Sequence, residues 1–166
     1  MTLLKLFGCA AIALSGLVLG LIKSKSLFSR RDCLKRFDVF LEALSTDLRY
    51  NCEDIFTSVN TAAKACGLDF ICVDAENKSS FYSVWSDCIG KAPRQYSLQN
   101  SDKELLTEFG ERLGKTDLEG QLSHIELCRA LLQKQINTAE EAAAKSSRLY
   151  KTLGIFGGVC AAILIC

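Results

Sequence analysis

The stretch that decides the fold is Leu105–Leu122, LLTEFGERLGKTDLEGQL, in the second half of a 166-residue chain. Its apolar side chains recur at the spacing of one helix face: Leu105, Leu106, Phe109 and Leu113. Gly114 follows, and a glycine after the last apolar position is typical of a helix end. Capping-box patterns begin at Ser101 and at Thr116, each with a glutamate three residues later. We therefore predict a capped helical hairpin over 101–122.

Three residues inside this hairpin favour a tight turn. Gly110 and Gly114 lie four residues apart, so they share a helix face that would let the next helix pack closely. Asp117 is placed to complement the positive N-terminus of that next helix. A well-capped hairpin accounts for most of this pattern without any ligand.

The helix after the turn is predicted over 117–150. Its apolar positions keep one helical phase: Leu118, Leu122, Ile125, Leu132, Ile136, Ala139, Ala143 and Tyr150. No helix-stopping residue precedes the apolar C-terminus, so we expect the helix to continue there, reaching about 50 residues.

The first half of the chain carries a similar stripe, which predicts a helix of roughly 20 residues. The stripe consists of Leu27, Leu34, Phe37, Leu41, Leu44 and Leu48. Two shorter helices are predicted, one ending at Gly67 and one over Ser80–Ile89. With one proline and no alternating strand pattern, the predicted fold is an all-α bundle.

Apolar runs begin and end the chain. Leu6–Ile22 and Leu153–Cys166 contain no charged residue over 17 and 14 positions. We predict an N-terminal membrane anchor at 1–24, a helical bundle at 25–150 and a C-terminal membrane helix at 151–166. The second run is short for a bilayer about 30 Å thick, so local thinning or partial insertion would accompany it.

Each apolar run contains one G-x-x-x-G pair, Gly16 with Gly20 and Gly154 with Gly158. Such pairs allow close packing of membrane helices, although glycine is also simply common in them. Packing between the two spans, or with a membrane partner, is the more specific prediction.

Charge is divided unevenly along the chain. Residues 1–36 carry a net charge of +6, residues 37–144 carry −8 and residues 145–151 carry +3. The positive-inside rule then predicts a cytoplasmic bundle with both termini on the far side of the membrane. An acidic body makes nucleic-acid binding unlikely. The alternative for residues 1–26 is a cleaved signal peptide, but only Lys5 is basic in its n-region, no A-x-A-like site lies near Ile22, and lysines follow at once.

The sequence offers no catalytic or metal-binding set. His124 is the single histidine, and the nine cysteines contain no C-x-x-C pair. No phosphate-binding glycine motif is present either. We expect a protein without enzymatic activity, metal or cofactor, whose thiols stay reduced if the bundle is cytoplasmic. Three acidic side chains of the first hairpin helix form a solvated face and a candidate docking face: Glu104, Glu108 and Glu111.

The hairpin also carries a family pattern, Phe/Leu-Gly-x-x-Leu-Gly-x-x-Asp-x-x-x-Gln. Its positions are filled by Phe109, Gly110, Leu113, Gly114, Asp117 and Gln121. Together with the closing LYKTLGIFGGVCAAILIC, it resembles the stage III sporulation protein AB family of endospore-forming Firmicutes. The resemblance covers the whole chain, is strongest over 105–158 and is weak over 51–100. The many cysteines depart from the family pattern.

This resemblance implies a place in the channel complex that joins mother cell and forespore during engulfment, in the mother-cell membrane around the forespore. The family's cytoplasmic domain is similar to the F proteins of type II secretion and type IV pilus machines, although this chain lacks their duplicated domain and third span. It implies a platform that couples a cytosolic secretion-type ATPase, the family's AA protein, to other membrane components. Residues Phe109–Gln121 would be a structural hinge or interaction segment.

Two other hypotheses stay open at this point. The basic segment 23–36 could bind anionic lipid, making the protein a regulator or adaptor at the bilayer surface. An exported, disulfide-bonded helical domain is the third possibility, and free-thiol counting separates it from the others. Self-association into a homo-oligomer is compatible with each.

Overall fold

Every regular element in the described residues is helical. The computed structural model describes the backbone of residues 2–50, 54–73 and 80–165, and no side chain of 1–21, 23, 147, 148 or 150–166. The elements, in chain order, are α1 (Thr2–Tyr50), α2 (Ile55–Ala65), α3 (Phe81–Gly90), a 3₁₀ turn (Arg94–Tyr96), α4 (Asn100–Arg112) and α5 (Leu118–Ile165). The predicted all-α class is confirmed over this part of the chain.

Helices α1 and α5 form an antiparallel frame that the shorter helices cover. Arg30 and Lys35 of α1 reach residues 135 and 140 of α5, whereas Asp38, further along α1, pairs with Arg129 at 3.0 Å. Their facing sides are the predicted apolar stripes. The fully buried side chains from these stripes include Leu34, Phe37, Leu41, Leu44, Ile125 and Leu132. Leu118, the first apolar position of the predicted α5 stripe, is 47% exposed and lies in the first turn of the helix.

Helix lengths agree with the prediction for α5 and differ for α1. Helix α5 has 48 residues, close to the expected length. Helix α1 has 49 residues, far more than the roughly 20 predicted, because it continues through the apolar N-terminal run without a break. No signal in that run stops a helix, since glycine is only a weak breaker and proline is absent.

Two of the predicted helix ends are confirmed by backbone geometry. Gly67 and Gly114 both have positive φ, +67° and +80°, which a residue with a side chain rarely adopts. Each follows a helix and reverses the chain toward the next element.

Both predicted capping boxes are wrong in position. Helix α4 begins at Asn100, and its box joins Gln99 to Asp102, whose carboxylate accepts the Gln99 N–H at 2.9 Å. At α5 the residue before the helix is Asp117, not Thr116, and its carboxylate accepts the Gly120 N–H at 3.2 Å. The spacing of residues along the chain could not show that the α4 cap begins at Gln99 and not at Ser101, because Asp102 is held by a partner from another helix.

That partner is Arg30 of α1. Its Nε and Nη2 donate to the two carboxylate oxygens of Asp102 at 2.7 and 2.8 Å, and Nη2 also reaches Gln135 of α5 at 3.3 Å. Arg30 is 4% exposed and Asp102 is fully buried. The ion pair therefore joins three helices where α1 enters the bundle.

Within the described residues no helix is both long and apolar enough to cross a membrane. The predicted anchors at 1–24 and 151–166 fall largely on side chains outside that description. The glycine pairs Gly16/Gly20 and Gly154/Gly158 lie there too, so the predicted membrane packing stays a prediction.

We expect Asp102→Asn to lower the free energy of unfolding by about 3–5 kcal/mol, since it leaves the Arg30 guanidinium buried without its counter-charge. The double variant Arg30→Met/Asp102→Leu should lose only about 1 kcal/mol, chiefly the helix cap. Urea unfolding of the full chain in a neutral detergent, followed by circular dichroism, measures both. If Asp102→Asn were as stable as the parent protein, the ion pair would not contribute to stability.

Candidate functional site

The hairpin pattern forms a connected unit in which each residue has a structural task. Phe109 and Leu113 are buried, and Gly114 makes the left-handed turn after α4. Asp117 caps α5, and the Gln121 side-chain amide donates to the Thr116 carbonyl oxygen at 2.9 Å. These contacts define the geometry of the turn, and the hinge or interaction role of Phe109–Gln121 stays a prediction.

The absence of a side chain at Gly110 leaves space for the Trp85 ring. A Cβ placed on Gly110 would lie 2.0 Å from Cδ1 of Trp85, which is closer than any real contact. The Trp85 indole N–H donates to the Leu106 carbonyl oxygen at 2.6 Å, and its ring is fully buried. The sequence-based expectation that Gly110 accommodates the long helix is therefore wrong, because α3 is the helix that packs against it.

Trp85 is the centre of an aromatic cluster that spans four helices. Its ring lies 6.0 Å from Phe40 of α1, 6.0 Å from Phe81 and 5.7 Å from Phe109 of α4. Phe109 stacks in turn on His124 of α5, with 5.5 Å between ring centroids and 10° between planes. His124 Nε2 also lies 3.2 Å from the Phe109 carbonyl oxygen, so His124 serves packing.

The predicted docking face is present as an exposed acidic surface on α4. Glu104, Glu108 and Glu111 are all exposed and border one shallow depression, together with Tyr82 and Lys103. Of these three glutamates, only Glu108 forms an ion pair with a described residue, Arg112 at 3.7 Å, and that pair is itself exposed. The acidic face is thus available to a partner, although docking there remains a prediction.

The basic segment 23–36 is largely engaged within the fold. Arg30 is buried with Asp102, and Lys35 pairs with Glu140 at 2.5 Å. Arg31 pairs with Asp32 at 2.6 Å, and Arg36 donates to the Gly67 carbonyl oxygen at 3.1 Å. The alternative of a lipid-binding basic segment therefore has fewer free charges than the sequence suggests.

Metal and thiol chemistry have little support in the described residues. No three His, Cys, Asp or Glu side chains there lie close enough to share a metal ion. The cysteines in this part of the chain are free thiols: Cys33, Cys66, Cys72, Cys88 and Cys128. Burial raises the pKa of Cys33 and of Cys128 to about 12, so both are inert at neutral pH.

Sequence reasoning missed the Arg30–Asp102 pair and the Trp85–Gly110 contact. A signal existed for Arg30, which lies three residues after Leu27 and four before Leu34, on the apolar stripe itself. No local signal paired Trp85 with Gly110, because the two residues are 25 positions apart and belong to different helices.

Comparison with known proteins decides the family. The family model described as Stage III sporulation protein AB (spore_III_AB) matches residues 5–166. The chain belongs to the stage III sporulation protein AB family. The curated stage III sporulation protein AB of Bacillus subtilis (strain 168) is 25% identical over 170 residues, covering 98% of this chain and 99% of that protein. No solved structure matches the chain.

Membership in the stage III sporulation protein AB family confirms the resemblance seen in the hairpin pattern. It supports a role in sporulation. The match begins at residue 5 and ends at residue 166, so it includes both apolar runs.

We expect Gly110→Ala to lower the free energy of unfolding by about 1–3 kcal/mol, because its methyl group must displace the Trp85 ring. Gly90→Ala is the matched control, since a Cβ there meets no atom within 4 Å and Gly90 ends a helix. It should leave stability unchanged or raise it by up to about 1 kcal/mol. Thermal unfolding followed by Trp85 fluorescence compares the two, and equal losses would contradict the packing role of Gly110.

Alkylation of the native protein by iodoacetamide at pH 8 should modify exposed Cys72 at least about a hundredfold faster than Cys33 or Cys128. Those two thiols are buried and remain protonated at that pH. Mass spectrometry of peptides over a time course gives the rates, and a urea-unfolded sample should show equal rates. Rapid native labelling of Cys33 would contradict the packing described.

Proposed function

We propose that the chain is a non-enzymatic platform component of a sporulation channel apparatus with features of a secretion system. It would couple a cytosolic secretion-type ATPase, the family's AA protein, to the other membrane components. Family membership supports the sporulation role. The coupling role rests on how the two long helices are joined.

The observation that supports the proposal is the set of polar contacts that join α1 to α5. Both helices run unbroken between an apolar end and the bundle. Arg129 of α5 bonds both Asp38 and Glu42 of α1, at 3.0 and 3.1 Å. Lys35–Glu140 and the buried Arg30 contact with Gln135 add further links. A displacement of the bundle would therefore be transmitted along both helices together.

The same arrangement supports a position at the bilayer. With apolar runs at the ends of α1 and α5, the bundle would face the cytoplasm and both termini would lie beyond the membrane. In a sporulating cell this would be the mother-cell membrane around the forespore. The two glycine pairs would let the membrane segments pack on each other or on other channel components, including a second copy of the chain.

The acidic face on α4 is the surface we assign to the ATPase. Glu104 and Glu111 have no ion-pair partner among the described residues, so binding a basic partner surface would break no internal pair of theirs. The hairpin that carries them is fixed by the Trp85 cluster and by the Asp117 cap. Force or movement applied at this face would thus reach α5 through a rigid corner.

We expect the full chain in neutral detergent to bind the purified ATPase, and Glu104→Lys/Glu111→Lys to weaken that binding by at least about tenfold, since it opposes like charges. The matched control is Glu126→Lys/Glu141→Lys, which changes two exposed glutamates of α5 and alters the net charge equally. Affinity is measured by biolayer interferometry at two salt concentrations.

The control variant should bind within about twofold of the parent and show a similar salt dependence. Equal weakening by both double variants would mean that net charge, and not the α4 face, governs binding. A folded parent protein that shows no binding at high micromolar ATPase concentration would refute the coupling role.

A further inference from the structure

A polar pocket of about 370 Å³ lies where α1 meets the segment that joins α3 to α4. Its polar lining combines residues from α1, from the segment around the 3₁₀ turn and from α4: Ser26, Arg30, Arg94, Ser97 and Lys103. The hydroxyl of Ser29 donates to the Gln95 carbonyl oxygen and holds this segment against α1. None of the described residues that line the pocket is an aspartate or glutamate.

The cations of this pocket have unused donors. Arg94 is exposed, and no described residue bonds its guanidinium. Lys103 gives one N–H to the Gly90 carbonyl oxygen at 3.0 Å, which leaves two. Arg30 uses Nε and Nη2 for Asp102 and Gln135, so its Nη1 donates to none of the described residues. Since Asp102 neutralises Arg30, Arg94 and Lys103 leave the pocket with a net positive charge.

The pocket also lies close to the apolar N-terminal run. Ser26 follows Ile22, the last residue of that run, by four positions on the same continuous helix. At 1.5 Å per residue this separation is about 6 Å. Each headgroup layer of a bilayer is roughly 5–8 Å thick, so an inserted α1 places the pocket at the depth of lipid phosphates.

We propose that this pocket binds the phosphate of an anionic phospholipid headgroup. Phosphate oxygens accept charge-assisted hydrogen bonds from arginine and lysine, and the Ser26 and Ser97 hydroxyls and the Gln99 amide add neutral donors. The inference rests on the proposed membrane position. It differs from binding by the basic segment 23–36, because Arg94 and Lys103 lie outside that segment.

Specific lipid binding at this point would fix the depth and tilt of α1. The buried Arg30–Asp102 pair connects the pocket wall directly to the start of α4, which carries the acidic face. The lipid would then hold the bundle in one orientation on the bilayer, with its α4 face presented to the cytosol.

The test measures displacement of a fluorescent phosphatidylglycerol from the full chain in a neutral detergent. Unlabelled phosphatidylglycerol should displace the probe at least about tenfold better than phosphatidylcholine, because the choline ammonium of phosphatidylcholine compensates the negative charge of its phosphate. Inorganic phosphate, which offers the same oxygens without a lipid, should compete far more weakly. Competition by phosphate or phosphatidylcholine equal to that of phosphatidylglycerol would overturn the proposal.

Variants assign the binding to the pocket. Arg94→Gln should weaken phosphatidylglycerol binding about tenfold, and Arg94→Lys should retain more of it because the charge remains. Arg49→Gln is the matched control, since Arg49 is also exposed but lies in the last turn of α1, away from the pocket. Unchanged affinity in Arg94→Gln, or an equal loss in Arg49→Gln, would overturn the proposal.

The outcome is separable from that of the proposed function. Selective phosphatidylglycerol binding without any ATPase binding would support the pocket and refute the coupling role. ATPase binding by a chain that does not distinguish phosphatidylglycerol from phosphatidylcholine would do the reverse.

Discussion

The contact between Trp85 and Gly110 is the constraint on which the bundle depends. The indole occupies the space that any side chain at position 110 would need, and its N–H donates to the Leu106 carbonyl oxygen at 2.6 Å. Because the same ring packs against Phe40 of α1 and Phe109 of α4, it sets the distance between α3, α4 and the long frame. Phe109 connects the cluster to α5 by stacking on His124. A tightly packed aromatic centre of this kind tolerates little change in volume, so the orientation of the hairpin is fixed with it.

A second constraint, the Arg30–Asp102 ion pair, acts at the N-terminal end of α4, near the apolar end of α1. Burying Arg30 and Asp102 carries a desolvation cost, which their two-point contact and the Gln99 N–H offset. The pair specifies where α4 starts and which face of α1 meets it. Hydrophobic contacts alone would specify this register less strictly, since the apolar stripe of α1 consists mainly of leucine and phenylalanine, whereas a buried ion pair can specify one register. For a protein proposed to couple a membrane complex to a cytosolic motor, a single rigid arrangement of this corner is a useful property.

The sequence predicted much of the fold where local rules act without competition. Most described residues of the apolar stripes of α1 and α5 are buried as their spacing predicted, with Leu118 the exposed exception, and the turns at Gly67 and Gly114 adopt the left-handed geometry that glycine favours. The near-50-residue length of α5 followed from the lack of any stop signal. The apolar N-terminal run also lacks a stop signal, which is why α1 continues through it as one helix of 49 residues. Family membership could also be predicted from the sequence, because the hairpin segment matches the glycine, aspartate and glutamine positions of the family pattern.

By itself, then, the sequence determined the helical class, the two long amphipathic stripes, the glycine turns and the uneven division of charge. These features depend on spacing and composition, which are properties of the linear chain. Only the tertiary structure decided that Gly110 faces Trp85, that Asp102 and not Glu104 closes the cap of α4, and that Arg30 is a buried ion-pair partner instead of a surface cation. It also brought Arg94 and Lys103 together beside α1. The physical reason is common to all four cases: each depends on contacts between residues far apart in sequence, whose energies arise only when the helices are packed and water has been excluded.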